Sequence, residues 1–387
     1  MSSDVLFTPM TDTTDYRING ERLWNSLMTL AEIGATPKGG CCRLTLTDLD
    51  RQGRDLVISW AQAAGMRVTV DKIGNVFMRR EGRNPALPPI VSGSHIDTQP
   101  TGGKFDGNYG VLAALEVVRT PGVFPLETIY AAQDADGKTV GEELARIGYI
   151  GSQTPGDHPI GAYFEAHIEQ GPILEDEEKM IGIVQGVLGI RWYDCVVTGQ
   201  ESHAGPTPMR LRQDALQVAT RIMQEVVAIA GRSDEGRGTV GMVQVYPNSR
   251  NVVPGEVTFS IDMRNLSDAL VDEMDRQLRA FIADVERESG LKIALKEVSH
   301  YPAAPFHPDC QAAIADAAQR LGYPAREIVS GAGHDAVYMS YLAPTGMIFI
   351  PCKDGISHNE IEYASPEHVE AGANVLLQVM LQYARVV

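Results

Sequence analysis

Five short segments of this sequence concentrate histidine with acidic residues, a combination that could bind a metal ion. Imidazole and carboxylate groups are ligands for zinc, manganese, cobalt and nickel, and a catalytic site leaves one position for water. A lone histidine is more often a hydrogen-bonded structural residue, so the prediction rests on the five segments together. They are GSHIDT (93–98), GGKFDG (102–107), EAHIEQG (165–171), GQESHAG (199–205) and GISHNE (355–360).

The candidate metal ligands in these segments are His95, Asp106, His167 and His358. Asp97 lies two residues beyond His95, where its carboxylate could orient the imidazole and help to fix its tautomer. The alternative for Asp97 is an aspartate that caps a turn. The residue types therefore predict a metal centre with a supporting carboxylate behind one ligand.

The elements that must position these residues are strands mixed with helices. Leu23, Leu27 and Leu30 recur at helical spacing, while other segments show the short apolar runs typical of strands. This mixture predicts an α/β fold with a largely parallel sheet, which binds ligands at the carboxyl ends of its strands. The segment 47–65 has a capping threonine, Thr47, and a terminal glycine. The predicted helices are 21–34, 47–65, 110–119, 125–133 and 140–148, and the predicted strands are 66–70, 89–95 and 345–351. Three helical patterns thus follow one another from 110 to 148 without the strand that should return the chain to the sheet.

Residues 189–300 show a different order of elements. Their pattern is βαββαβ, the order of a ferredoxin-like unit. The predicted strands are 190–199, 239–246, 256–264 and 292–298, and the predicted helices are 209–231 and 267–290. In EVTFSIDMR (256–264) every second residue is apolar, which is typical of a sheet with one face covered by helices. We interpret this region as an inserted second domain. The larger domain is then discontinuous and consists of 1–188 and 301–387.

The composition limits the classes of partner. The chain has 387 residues, with 33 Lys and Arg against 50 Asp and Glu, a net charge of −17. This acidic balance argues against nucleic acid or an anionic membrane as the main partner. The start of the chain has no pattern of a signal peptide, and no apolar run predicts a membrane span, so we expect a cytoplasmic protein. The cysteines form no CxxC pair, which fits a reducing compartment. They are Cys41, Cys42, Cys195, Cys310 and Cys352.

Over nearly its whole length the sequence resembles the di-metal aminoacylase and carboxypeptidase superfamily. The resemblance is to its carbamoylase branch: N-carbamoyl-L-amino-acid hydrolases, β-ureidopropionases and allantoate amidohydrolases. It implies a catalytic domain with an inserted lid and dimerisation domain, a homodimer, and hydrolysis of the linear C–N bond of a small carboxylate substrate, most of all an N-carbamoyl amino acid. The motifs that carry it are GSHIDT, GGKFDGNYGVLAALEVV, DADGKTVGEELARIGY, EAHIEQGPILE, ESHAGPTPM, NVVPG, DMRN, SGAGHDA and DGISHNE.

The resemblance also implies ligand sets for one or two divalent ions, with zinc, manganese, cobalt and nickel as the candidates. One ion would be held by His95, Asp106 and His167. A second would be held by the bridging Asp106, a glutamate, and His358.

Further roles follow from the same motifs. The resemblance implies that His203 of ESHAG stabilises the oxyanion of the tetrahedral intermediate. Asn251 of NVVPG, Arg264 of DMRN and Gly333 of SGAGHDA would contact the substrate, chiefly its carboxylate, and Gln170 of HIEQG would line the other end. An arginine fork suits a carboxylate, whereas the alternative for Arg264 is a surface ion pair.

One departure from the family pattern concerns catalysis. The family carries a core strand ending in NEEG, whose first glutamate is the general base and whose second is a metal ligand. No NEEG occurs in this sequence, and the gap falls near Thr120 and Pro121. Asp134 and Asp136 belong to DADG, which matches a later family motif, so they do not replace the glutamates.

Three explanations are open. The first is that residues are missing from the sequence, and the second is that the protein is a natural deletion variant. The third is that another carboxylate, such as Glu169, serves a changed reaction. We favour the first, because deleting an interior strand would break backbone hydrogen bonds and open the core. The competing functions are a catalytically silent binding or scaffold protein and a homologue with non-hydrolytic C–N chemistry. Scaffolding alone would not need the four metal-ligand residues.

Overall fold

The structure is a computed structural model that describes residues 17–80, 87–115, 138, 140–154 and 159–386. The chain divides into two compact units. Unit 1 consists of Met1–Gln185, Phe306–Ile328 and His334–Val387, and unit 2 consists of Gly186–Pro305 and Val329–Gly333. The gap near Thr120 and Pro121 lies outside the described residues, as do Asp134, Asp136 and the predicted helix 125–133.

The first part of unit 1 begins with two capped helices. The side chain of Asn19 caps the first helix, which buries Leu23, Leu27 and Leu30 as their spacing predicts, and Thr47 caps the second. The helices of this part are α1 (Gly20–Glu32), α2 (Asp48–Ala63), α3 (Asn108–Leu115), α4 (Val140–Ile147) and α5 (Ile173–Asp176). The strands are β1 (Arg67–Val70), β2 (Val76–Arg79), β3 (Ile90–Ser92), β4 (Ala162–Ile168) and β5 (Ile181–Val187), the last of which runs on into unit 2.

Unit 2 is built on a sheet in the order β12-β6-β11-β8, with β9 also paired to β11. Every second residue of β11 is buried under two helices, as the apolar alternation of EVTFSIDMR predicts. The strands are β6 (Gly189–Thr198), β7 (Ser202–His203), β8 (Arg237–Thr239), β9 (Val243–Tyr246), β10 (Val252–Val253), β11 (Glu256–Asn265), β12 (Lys292–Tyr301) and β13 (Ala304–Pro305). The helices are α6 (Ala215–Ala230) and α7 (Asp268–Ser289), and a 3₁₀ turn covers Met209–Leu211.

The two ends of the long segment of unit 2 lie side by side. Val187 pairs with Ala304 and Gly186 pairs with Pro305 in an antiparallel register. The long segment of unit 2 therefore begins and ends at one pair of hydrogen-bonded strands.

The chain then returns to unit 1 and completes its sheet. The remaining elements are α8 (Pro308–Leu321), β14 (Ala325–Ser330), α9 (Asp335–Ser340), β15 (Thr345–Ile350) and α10 (Pro366–Val386), with a 3₁₀ turn at Lys353–Gly355. Strands β3, β4 and β15 are parallel, whereas β5 runs antiparallel to β15. All residues of β4 and β15 are buried, which is typical of a sheet covered on both faces. The α/β prediction is therefore confirmed, but the sheet is mixed in the part of the chain that the structure describes, because β5 and β13 add antiparallel pairings to the three parallel strands.

Two predicted elements of unit 2 are interrupted. The helical pattern from Met209 becomes a 3₁₀ turn, and α6 begins only after Asp214, whose side chain accepts hydrogen bonds from two backbone N–H groups of the first turn. The predicted strand 239–246 is divided, because β8 ends at Thr239 and β9 begins at Val243, and both strands pair with β11. Among the described helices, none combines the length and the apolar character that crossing a membrane requires.

Candidate functional site

The candidate ligands of unit 1 come from the carboxyl ends of three adjacent parallel strands. His95 follows β3, His167 lies near the end of β4, and His358 follows β15. Asp106 lies in the loop that leads into α3. Because the strands are parallel neighbours, their ends meet at one edge of the sheet, where α/β folds bind ligands.

The four residues converge on the carboxylate of Asp106. Its Oδ1 lies 3.2 Å from Nε2 of His167 and 3.8 Å from Nε2 of His95, and its Oδ2 lies 3.3 Å from Nε2 of His358. The ligand atoms of His95, Asp106 and His167 all lie within 4.8 Å of one another. Two imidazoles and a carboxylate at this spacing fit a divalent transition-metal ion, and the second carboxylate oxygen faces another imidazole.

The outer nitrogens of two imidazoles are held by backbone carbonyls. Nδ1 of His167 lies 2.8 Å from the carbonyl oxygen of Ile168, and Nδ1 of His95 lies 3.1 Å from that of Asp97. The Asp97 carboxylate is also near, at 3.4 Å from the same nitrogen of His95. A hydrogen on each Nδ1 leaves Nε2 for a ligand bond, as is usual for metal-binding histidines.

The electrostatics of the cluster favour positive charge. Burial lowers the pKa of His95, but the hydrogen bond to Asp97 and the charges of Asp335 and Asp106 outweigh it and raise that pKa to about 10. Burial acts to raise the pKa of Asp106, yet its hydrogen bonds with His167 and His358 hold it well below the usual range. A metal ion that binds here would have to displace protons from this cluster, so its binding would weaken as the pH falls.

The site opens toward solvent on one side. The side chain of His167 is 1% exposed, whereas that of His358 is 57% exposed. Both His358 and Gln170 have a positive φ, at 53° and 58°, which residues other than glycine adopt at a cost of order 1–3 kcal/mol. Such conformations persist where the surroundings enforce them, which is common at functional sites.

A glycine is required beside the ligands. Gly107 has a φ of +65°, and a Cβ at this position would lie 2.4 Å from the ring of His95. The glycine of GGKFDG thus allows the Asp106 loop to approach the His95 loop.

A buried arginine joins the same two loops. Arg43 is 0% exposed, and its guanidinium donates to the carbonyl oxygen of Ile96 at 2.9 Å and to Oδ1 of Asn108 at 2.6 Å. The sequence reasoning missed Arg43, because nothing in its local pattern separates it from a surface arginine.

Sequence reasoning also missed Glu165 and His334. With His167 they form a second buried group whose ligand atoms lie within 4.8 Å of one another. Burial raises the pKa of Glu165 to about 7, and its carboxylate accepts hydrogen bonds from Ser94, Tyr163 and the backbone N–H of Ala336. These donors satisfy the carboxylate within the protein. The period of two along β4, which puts Glu165 and His167 on one face, could have indicated this group.

Glu169 and Gln170, which follow Ile168, have different hydrogen-bond partners. The carboxylate of Glu169 accepts the backbone N–H groups of Ile173 and Leu174 and so caps α5. This use is a structural one, rather than that of a free base in a changed reaction. Gln170 donates from Nε2 to Oγ of Ser357 at 3.0 Å, beside the His358 loop.

The other predicted site residues lie in unit 2. His203 and Asn251 are neighbours on the short β7–β10 ribbon, where the N–H of Ala204 donates to the carbonyl oxygen of Asn251. Both side chains are exposed.

Arg264 on β11 already has partners within unit 2. Its Nε and Nη2 donate to the two carboxylate oxygens of Asp262, at 2.9 and 2.7 Å, and its Nη1 donates to the carbonyl oxygen of Gly331. Gly333 is exposed two residues beyond Gly331. Asp262 therefore fixes the orientation of the guanidinium. It is also the partner that the alternative role of Arg264, a surface ion pair, requires.

This chain is similar to known proteins in both sequence and structure. Residues 91–382 match the model of peptidase family M20/M25/M40. The chain is 42% identical to an N-carbamoyl-L-amino-acid amidohydrolase of Rhizobium meliloti over 96% of this chain and 98% of the relative. It is 32% identical to an allantoate amidohydrolase of Bacillus subtilis over 92% and 95%. A solved amidase of the hydantoinase/carbamoylase family from Burkholderia multivorans is 51% identical, with a TM-score of 0.89 over 95% of this chain and 98% of that one.

The alignment with the Rhizobium protein is longer than the matching part of this chain. It runs over 407 residues, whereas 96% of 387 residues is about 372, so about 35 aligned positions have no residue here.

We predict that the cluster at His95, Asp106 and His167 holds about one divalent ion per chain after reconstitution and dialysis. Replacing His167 by alanine should remove the ion, because it deletes one of three ligands, while His300→Ala on the exposed edge of unit 2 should not. Elemental analysis of the three proteins checks this. Well under about one ion per chain in the reconstituted unsubstituted protein would contradict it.

Proposed function

This chain belongs to peptidase family M20/M25/M40, and from its site we propose that it is a metal-dependent amidohydrolase for the linear C–N bond of a small carboxylate substrate. The observation that carries the proposal is the convergence of three imidazoles on the Asp106 carboxylate, beyond the carboxyl ends of three parallel strands. The Rhizobium relative is an N-carbamoyl-L-amino-acid amidohydrolase, which favours an N-carbamoyl amino acid as the substrate.

The proposed ligands are His95, Asp106 and His167 for one ion, with His358 and Asp106 contributing to a second. When bound, such an ion would polarise the scissile carbonyl and lower the pKa of water. Asp97 has the role of holding the His95 ring through Nδ1, since its carbonyl and carboxylate oxygens both face that nitrogen.

We assign substrate recognition to four residues. The guanidinium of Arg264 binds the substrate carboxylate, and Asn251 and the backbone at Gly333 add polar contacts. Gln170 contacts the other end of the substrate. His203 donates a hydrogen bond to the oxyanion that develops when water adds to the carbonyl carbon. The C–N bond then breaks, and the amino group leaves with the proton that the attacking water has given up.

The proton-transfer group is what the sequence lacks. The family glutamates of NEEG do not occur in these 387 residues. General acid–base catalysis contributes about 10²–10⁴ in rate, so a chain without the base should hydrolyse slowly. About 35 positions of the alignment with the Rhizobium protein have no residue in this chain. We propose that they include the NEEG segment, because without it the catalytic fold would lose an interior strand and both glutamates.

Intact mass spectrometry tests this directly. We expect the expressed protein to exceed 42.0 kDa by several kilodaltons and to hydrolyse N-carbamoyl amino acids at ordinary enzyme rates. If the mass is 42.0 kDa, hydrolysis should be slower by about 10²–10⁴ or more. A folded 42.0 kDa protein with ordinary turnover would refute this mechanism, since another residue would then move the proton.

We predict that Arg264→Lys weakens binding of a carboxylate substrate by about 10-fold or more, because lysine keeps the charge but loses the planar fork. The matched control is Arg191→Lys on the neighbouring strand β6, whose guanidinium pairs with Asp272 and Asp275 of α7. That variant should lose stability and keep its substrate affinity. Measured KM or Kd values decide, and unchanged affinity in Arg264→Lys would return this residue to the ion-pair role.

We further propose a homodimer formed through unit 2. In the described part of the chain β12 pairs with β6 alone, so its outer edge is available to a second copy across a two-fold axis. Light scattering should give about twice the intact mass of one chain, and Val298→Glu on β12 should weaken the dimer. Val227→Glu, at a comparably exposed position of α6, should leave it intact. A particle with the intact mass of a single chain at micromolar concentration would exclude this dimer.

A further inference from the structure

A buried glutamate outside the ligand set contacts the loops that carry two ligands. Glu362 lies four residues beyond His358 and is 4% exposed. Its Oε1 accepts the backbone N–H groups of Phe105 and Asp106, both at 3.0 Å, and its Oε2 accepts the hydroxyl of Ser357 at 2.7 Å. A carboxylate is costly to bury, and these three donors compensate for the lost water.

The contacts of Oε1 fix the backbone of the central ligand. Asp106 is the residue whose two carboxylate oxygens face His95, His167 and His358. Its amide nitrogen is held by a side chain 256 residues further along the chain. A hydrogen bond at the amide leaves the Asp106 carboxylate free for the site and limits where that carboxylate can point.

The contact of Oε2 acts on the other loop. Ser357 immediately precedes His358, and its Oγ also accepts the Nε2–H of Gln170. His358 and Gln170 have left-handed backbone conformations, which tertiary contacts must enforce. The Glu362 carboxylate thus connects the Asp106 loop with the His358 loop and, through Ser357, with Gln170.

The fold makes room for this side chain. A Cβ on Gly103 would lie 2.2 Å from Oε1 of Glu362 and 2.4 Å from its Cβ. Gly103 of GGKFDG therefore leaves room for Glu362 to reach the amides of Phe105 and Asp106.

We propose that Glu362 is a positioning residue that sets Asp106 and His358 in the geometry for a divalent metal ion. The inference rests on the metal site of the proposed function and adds a group that does not touch the ion. Groups that orient metal ligands contribute about 10–100-fold to metal affinity.

The test is a titration of the metal-free protein with Co²⁺, followed by visible absorption. Glu362→Gln keeps the size of the side chain but replaces one acceptor oxygen by an NH₂ group, and we expect Co²⁺ to bind about 10–100-fold more weakly with an altered spectrum. The matched control is Glu360→Gln in the same loop, whose carboxylate pairs with Lys38 at 3.2 Å. That variant should bind Co²⁺ like the unsubstituted protein.

A second variant and a stability measurement separate positioning from a merely structural role. Ser357→Ala removes only the Oε2 contact and should give a smaller loss of Co²⁺ affinity, which decides the matter if Glu362→Gln does not fold. A lower melting temperature of metal-free Glu362→Gln with unchanged Co²⁺ affinity and spectrum would overturn the inference. If the unsubstituted protein fails to bind Co²⁺, the metal-site proposal fails and the positioning role with it; if only the variants bind normally, the positioning role alone fails.

Discussion

The carboxylate of Asp106 is the group around which unit 1 is arranged. It faces three imidazoles within 4 Å, and each comes from a different segment of the chain. In this cluster proton or metal binding has to balance the negative charge, which is why the pKa of His95 is raised and that of Asp106 is lowered. The adjacent parallel strands β3, β4 and β15 supply the histidines, so the geometry of the site depends on strand register.

The loops that carry the candidate ligands are held by hydrogen bonds to buried side chains that lie outside the sheet. Arg43 contacts the His95 and Asp106 loops from within the core, while Glu362 contacts the Asp106 and His358 loops. Gly107 removes the steric barrier to the approach of the His95 ring. These groups are buried and polar, so each is stable only when its partners are in place, and the loops are defined together rather than one by one.

Local patterns predicted much of this fold. Thr47 caps α2 where a capping threonine was expected, and the alternation in β11 gave the buried face of the sheet. The helical pattern from Met209 was misleading, because Asp214 caps a later start. The ligand residues could be found from their motifs, but the roles of Arg43 and Glu362 could not, because their partners lie tens to hundreds of residues away.

The pairing of Val187 with Ala304 bears on how the chain can accommodate an insertion inside a catalytic unit. If the excursion from 186 to 305 were a flexible loop, closing it would oppose folding of unit 1 by about 4 kcal/mol plus a constant. Unit 2 has its own core and hydrogen-bonds its own ends to each other. Once unit 2 is folded, its two ends lie side by side, so unit 1 has only the equivalent of a hairpin turn to close. The entropy cost of ordering residues 186–305 is then offset within unit 2, and the two halves of the sheet can pair as though they were neighbours in sequence.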